Sequence, residues 1–207
     1  MKAKFILTLI FLCSCLFVNA QYFNAGFKLG VVGSQVDGDT YGGYDKLGLD
    51  VGLFVNYQLS MRTALQLEME YIQKGSSHTP NVEIGDYIEY KMQVNYLQLP
   101  VLFQYKLSQN FSAEMGPAFG LLLSNYEEYN QWEIQSNPFR KFAFSWVTGI
   151  NYAITDNWNA NFRLDYSLIG IRQKPAPGDR WIFFQYGQFN NALVISIHYL
   201  INYAKAK

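Results

Sequence analysis

The sequence predicts an all-β fold, an eight-stranded antiparallel up-and-down transmembrane β-barrel. Three observations predict it. Apolar and polar residues alternate in eight separate runs. The connections between those runs are alternately long and short. One face of the runs is bulky and aromatic, in a chain that is 17% Phe, Trp and Tyr.

The runs fall at roughly 22–34, 47–59, 64–76, 87–106, 111–124, 140–154, 158–169 and 188–203. In "LDVGLFVNYQL" Leu49, Val51, Leu53, Val55, Tyr57 and Leu59 share one face. In "ALQLEMEYIQ" Leu65, Leu67, Met69 and Tyr71 share one face, while Gln66, Glu68 and Glu70 share the other. A helix would smear these residues around its axis, whereas a strand separates them cleanly. In "KFAFSWVTGINYAI" Phe142, Phe144, Trp146, Ile150 and Tyr152 oppose the small set Ala143, Ser145, Gly149, Asn151 and Ala153. "ANFRLDYSL" sets Phe162, Leu164 and Tyr166 against Asn161, Arg163 and Asp165. "NALVISIHYLINY" sets Ile195, Ile197, Tyr199 and Ile201 against Ser196 and His198.

Short polar turns are expected at "SMRT" (60–63), "LSQN" (107–110) and "TDN" (155–157). Longer loops are expected near 35–46, 77–86, 125–139 and 170–187. Outer-membrane barrels have short periplasmic turns and longer extracellular loops. A narrow barrel suits small and polar residues inside, and lipid suits the bulky aromatic face outside. Pro100 and Pro117 fall inside strands, where proline cannot donate to the ladder, so bulges are expected there.

Residues 1–20, "MKAKFILTLIFLCSCLFVNA", have a basic start, an apolar core and a small-residue end at Val18-Asn19-Ala20. This is the pattern of a secretory signal peptide cut before Gln21. Leu12-Cys13-Ser14-Cys15 resembles a lipoprotein box, but the apolar run continues past Cys15. The barrel domain is then 21–207. Both cysteines leave with the signal, so no disulfide framework or cysteine metal site is expected. Loss of Lys2 and Lys4 leaves 14 basic against 16 acidic residues, no footprint for nucleic acid.

Five stretches then carry a resemblance: "GFKLGV" (26–31), "LDVGLFVNYQLS" (49–60), "LQLEMEYIQKG" (65–75), "YLQLPVLFQYKL" (96–107) and "EMGPAFGLLLS" (114–124). Together they resemble the outer-membrane β-barrel domain of the PorT-like family, common in Bacteroidota. The resemblance implies a barrel in the cell outer membrane and no defined activity. The end of the chain departs from the pattern, because "AKAK" follows Tyr203.

By parity Lys28, Glu68, Glu70, Glu114, Arg163 and Asp165 point into the lumen. Paired carboxylates serve glycoside hydrolysis in other contexts. Eight strands leave an interior just filled by side chains, so an ionic network that fills the lumen is expected instead. Its proposed core is Glu68 and Glu70 paired with Arg163, helped by Lys28. Ser196 and His198 also face inward, but no orienting group or oxyanion motif accompanies them. His78 is expected as a solvated loop residue. The two histidines form no recognisable zinc site. No catalytic, cofactor or metal site is expected.

Tyr126, Tyr129 and Trp132 in one outer loop, and Arg172, Lys174, Arg180 and Trp181 in another, are candidate contact residues, since aromatic and Arg side chains make good anchors. The expected partners are outer-membrane lipid and lipopolysaccharide, with an extracellular protein or glycan at the loops. A monomer is expected. The leading reading is a structural or loop-binding barrel. The alternatives are a small-solute pore, an outer-membrane lipid-modifying enzyme and a soluble periplasmic ligand-binding barrel.

Overall fold

The computed structural model describes residues 23–134, 137–172, 180–182 and 185–201, with only the backbone of 180–182. The strands are β1 (Phe23–Asp37), β2 (Lys46–Gln58), β3 (Thr63–His78), β4 (Tyr90–Lys106), β5 (Phe111–Tyr129), β6 (Trp132–Glu133), β7 (Phe142–Ala153), β8 (Trp158–Ser167), β9 (Arg180–Ile182), β10 (Gln185–Gly187) and β11 (Phe189–Ile201). Eight of them form the wall, in the order β4-β3-β2-β1-β11-β8-β7-β5, and β4 pairs with β5 to close the ring. Every neighbour in the wall is antiparallel. The first and last wall strands meet at a seam that pairs Ala25 with Ile201 and Asp37 with Phe189. Closure satisfies the backbone without leaving an edge, a condition for crossing lipid.

The alternation sorts as the sequence predicts. Leu29, Val31, Leu53, Leu67, Met69, Met115, Ile150, Leu164 and Ile195 are exposed on the outer face. At the short-turn end this apolar band meets an aromatic girdle, including Phe23 on Tyr57, Phe111 on Tyr152 and Trp158 on Tyr199, with ring centroids 4.8, 4.9 and 4.8 Å apart. Such girdles mark membrane interfaces.

The inner face is less uniform than expected. Its outer half is apolar: Val32, Val36, Ile72, Met92, Val94, Tyr96, Ala192 and Val194 form a buried cluster capped by Tyr90, Phe139 and Ile171. Charge is concentrated toward the short turns, but buried ion pairs of Lys74 with Asp165 and of Arg172 with Glu127 run through this outer half as well.

Two expected boundaries shift. Residues 125–129 are not loop, because β5 continues and pairs with β4 as far as Tyr129 opposite Tyr90. A ladder can outlast the membrane, and polar composition does not end it. A two-residue turn follows, with Tyr129 opposite Trp132 and positive φ at both Asn130 (49°) and Gln131 (68°). That is the backbone which matches the twist of a hairpin. His78 is not in a loop either; it ends β3, and its Nε2 lies 2.7 Å from Asp86 Oδ2.

The expected bulges at Pro100 and Pro117 are absent from those positions. The register is unbroken around both prolines: Pro100 sits opposite Ala118, and Pro117 opposite Trp146. The β3–β4 ladder pairs Leu67 with Val101 and next Glu70 with Gln98, so Pro100 interrupts pairing without shifting it. The shift in the β4–β5 register comes between Asn95 and Tyr96. Nearby, Gly75 of β3 has φ +145°, and a Cβ there would lie 2.0 Å from the Met92 carbonyl oxygen. Only glycine allows that approach.

Candidate functional site

The inward residues of β1, β2, β3, β5 and β8 build a buried ionic cluster. Arg163 Nη1 and Nη2 donate to Glu68 Oε2 and Oε1 at 2.8 and 2.7 Å, a fork-to-fork pair. Arg163 Nε donates to Glu114 Oε1 at 2.5 Å. Glu114 also accepts from the amides of Gln104, Asn151 and Asn161 at 3.0, 2.7 and 2.8 Å. Gly149 makes room for this pair: a Cβ there would lie 2.8 Å from Arg163 Cγ.

Lys28 Nζ reaches three carboxylates at once. It donates to Glu70 Oε2 in a short contact and lies 2.9 Å from Glu68 Oε2 and 3.1 Å from Asp50 Oδ2. All of these groups are buried. The expected Arg163–Glu70 pair is loose, at 4.0 Å, because Glu70 belongs to Lys28.

Asp165 does not join Arg163. It faces a second layer, where Lys74 Nζ and Gln98 Nε2 donate to its Oδ2 at 2.7 and 2.6 Å. Two partners escaped sequence reasoning. Asp50 shares the inner face of β2, but its run reads as apolar. Lys74 lies near the end of the 64–76 run, just before Gly75. Inward parity was the signal available for both.

At the outer end, Arg172 is a buried strut rather than a contact anchor. It donates to Glu127 Oε1, Gln188 Oε1 and the Asn137 carbonyl at 2.7, 2.6 and 2.6 Å, and its guanidinium sits 4.2 Å above the Phe139 ring. Tyr90 donates to the same Glu127 oxygen at 2.6 Å. Beside this lid, burial pushes the Asp39 carboxyl up to about 6, although the Ser76 side chain and the Tyr41 amide, 3.0 Å away, favour its ionised form.

At the other end the lumen opens as a cavity of about 360 Å³, lined by Asn56, Gln66, Gln104, Asn151, Asn159 and His198 among others. Ser196 and His198 are hydrogen-bonded at 3.0 Å, and His198 lines the cavity. The third group near Ser196 is the Asn161 carboxamide, 3.4 Å away. That amide contacts the hydroxyl, not the imidazole, so it does not stand where the orienting group of a triad stands.

Of the outer candidates, Tyr126 and Tyr129 project from the extended β5 and Trp132 from β6; all three are exposed, Trp132 at 78%. Tyr126 donates to Glu128 at 2.8 Å. The side chains of Arg180 and Trp181 lie outside the described residues, as do Lys174, the signal region and Tyr203.

A closed wall with a lipid-compatible belt, aromatic girdle and filled lumen defines an integral outer-membrane β-barrel protein. The chain belongs to the outer membrane protein beta-barrel domain family, which matches residues 19–173. No curated protein matches it in sequence. Among solved structures it is similar to Ail, the attachment invasion locus protein of Yersinia pestis, in complex with the heparin analogue sucrose octasulfate. The identity is 11% over 87% of this chain and 100% of that one, with TM-score 0.51. It is also similar to Neisserial surface protein A, at 12% identity over 86% of this chain and 97% of that one, with TM-score 0.50. These likenesses are of fold.

Proposed function

We propose that the protein is a plugged, non-catalytic anchor of the cell outer membrane that binds a partner through its outer hairpins. The observation that carries this reading is the filling of the lumen, where the Arg163–Glu68 layer and the Lys74–Asp165 layer are stacked along β3 and β8 and an apolar cluster from β1, β3, β4 and β11 packs level with the second and beyond it. That filling favours an anchor over a small-solute pore. The resemblance to PorT-like barrels fits it, and we place the chain among them on that ground. We further propose that residues 1–20 are a cleaved signal and that the barrel works as a monomer.

The outer surface points to the partner's chemistry. The β3–β4 connection and the β5–β6 hairpin are tied together, with Asn130 N–H donating to the Glu89 carbonyl and Glu89 N–H to the Asn130 side chain, both at 2.8 Å. Together they expose Tyr87, Tyr126, Tyr129 and Trp132 beside Glu83, Glu89, Glu128 and Glu133, against the single exposed cation Lys91 opposite Glu128. Aromatic anchors ringed by carboxylates suit a basic protein surface and repel a sulfated glycan.

Two measurements test this. Planar bilayers containing the purified protein are expected to show no steady conductance. A pull-down from outer membranes is expected to recover a protein that is lost when the hairpin tip, 130–134, is shortened. Open-channel currents from the intact barrel would refute the plug. Equal recovery by the shortened protein would refute the hairpin.

A further inference from the structure

The ionic cluster is unbalanced. Two cations, Lys28 and Arg163, face four buried carboxylates: Asp50, Glu68, Glu70 and Glu114. The carboxylates are not served equally. Glu114 has Arg163 and three amides. Glu68 has both Arg163 nitrogens, Lys28 and the Gln66 amide. Both are well supported as anions.

Glu70 and Asp50 are not. The close partner of Glu70 is Lys28, with Arg163 only at 4.0 Å. Asp50 is 0% exposed, and neither of its oxygens accepts a hydrogen bond from the described residues; Lys28 Nζ merely approaches one of them. A single ammonium therefore stands between two carboxylates that have little else. A bare carboxylate in a dry site is strongly disfavoured, and such a group takes a proton instead.

We propose that this cluster is a proton-binding site, in which Asp50 and Glu70, both held by Lys28, share one bound proton at neutral pH. The proton converts one anion into a carboxylic acid. One carboxyl then donates to an acceptor that the static contacts leave empty, and Lys28 neutralises the other. The ionisable groups facing the pair are Lys28 of β1, Glu68 of β3, Glu114 of β5, Arg163 of β8 and His198 of β11, with Lys74 and Asp165 one layer outward. Protons exchange from the short-turn end, because Gln66 and His198 both line the cavity there, and Gln66 touches Glu68. The site lies inside the wall and is independent of what binds the outer hairpins.

Infrared spectroscopy of the refolded barrel at neutral pH tests it directly. A carboxylic-acid carbonyl band is expected, shifted in heavy water, and lost in both Asp50→Asn and Glu70→Gln. The stability readout has a definite sign. Above about pH 6, where Asp39 has also ionised, the folded barrel holds one more proton than the unfolded chain. Its unfolding constant therefore rises up to tenfold per pH unit until the proton leaves. Asp50→Asn, which keeps the shape and removes one charge, is expected to unfold less readily than the wild type at alkaline pH and to lack that slope. Absence of the acid band in the wild type would overturn the proposal. So would stability that requires sodium and collapses when choline replaces it, since a metal cation would then balance the charge.

Discussion

Arg163 and Glu68 meet across the barrel rather than along its wall. Their strands, β8 and β3, are separated in the sheet order by β2, β1 and β11, yet the guanidinium and carboxylate make two hydrogen bonds of 2.8 and 2.7 Å. Removing Arg163 would leave Glu68 and Glu114 buried without their main counter-charge. Arg163→Ala is expected to destabilise the barrel by about 3–5 kcal/mol. A double-mutant cycle is expected to give clear coupling of Arg163 with Glu68 and little with Asp165, whose charge belongs to Lys74. Coupling of equal size for both pairs would contradict the two-layer arrangement.

The lipid belt can be tested by depth. Leu67 lies mid-strand and is 54% exposed, whereas Leu59 sits at the short turn with similar exposure. Leu67→Arg is expected to cost about 2–4 kcal/mol, and Leu59→Arg about 0–1 kcal/mol. Unfolding titrations in lipid vesicles measure both. Similar losses at the two positions would mean that the belt is misplaced.

Asp39 predicts a pH effect at the outer rim. Its folded-state carboxyl titrates at about 6, above the ordinary value of roughly 4. The folded form thus prefers the protonated acid, and this contribution is full below about pH 4 and lost as the pH rises through about 6. Asp39→Asn is expected to remove that component. Denaturation midpoints of wild type and variant, compared across the window, should converge toward acid and diverge toward neutrality. Parallel curves would show that Asp39 is solvated normally.

The signal is tested by the mass of the mature N-terminus. Cleavage before Gln21 with no lipid is expected, from Val18-Asn19-Ala20 and the apolar run past Cys15. A diacylated peptide beginning at Cys15 would refute it.

The faces of the strands were legible because period-two alternation determines them locally. Thus Glu68 and Arg163 could be placed inside from sequence alone. Depth was not legible. Arg163 and Asp165 are two residues apart, about 7 Å along the strand, and that offset assigns them to different layers. Strand tilt decides which residue of β3 stands level with each, and tilt is a property of closure, not of any local run. The outer hairpin was missed for another reason. "NYEEYNQWE" is polar, and polarity resembles loop, but the Asn130-Gln131 turn and the partner strand keep the ladder going. The prolines misled in the opposite sense: each removes a donor, and the barrel tolerates the gap without a bulge.

The seam between β1 and β11 has a consequence for how this protein is made. Lys28 stands on the first strand of the wall, Glu68 on the third and Arg163 next to the last, so the cluster cannot dehydrate piecemeal. A partly inserted sheet would carry bare charges on the concave side while its apolar side was already seeking lipid. Only when Ala25 finds Ile201 does the charged side become an interior. Ring closure and loss of water from the charges are then a single event, and a nascent sheet that has not yet met its own first strand must be kept wet on one side and sheltered from lipid at its open edges until that moment.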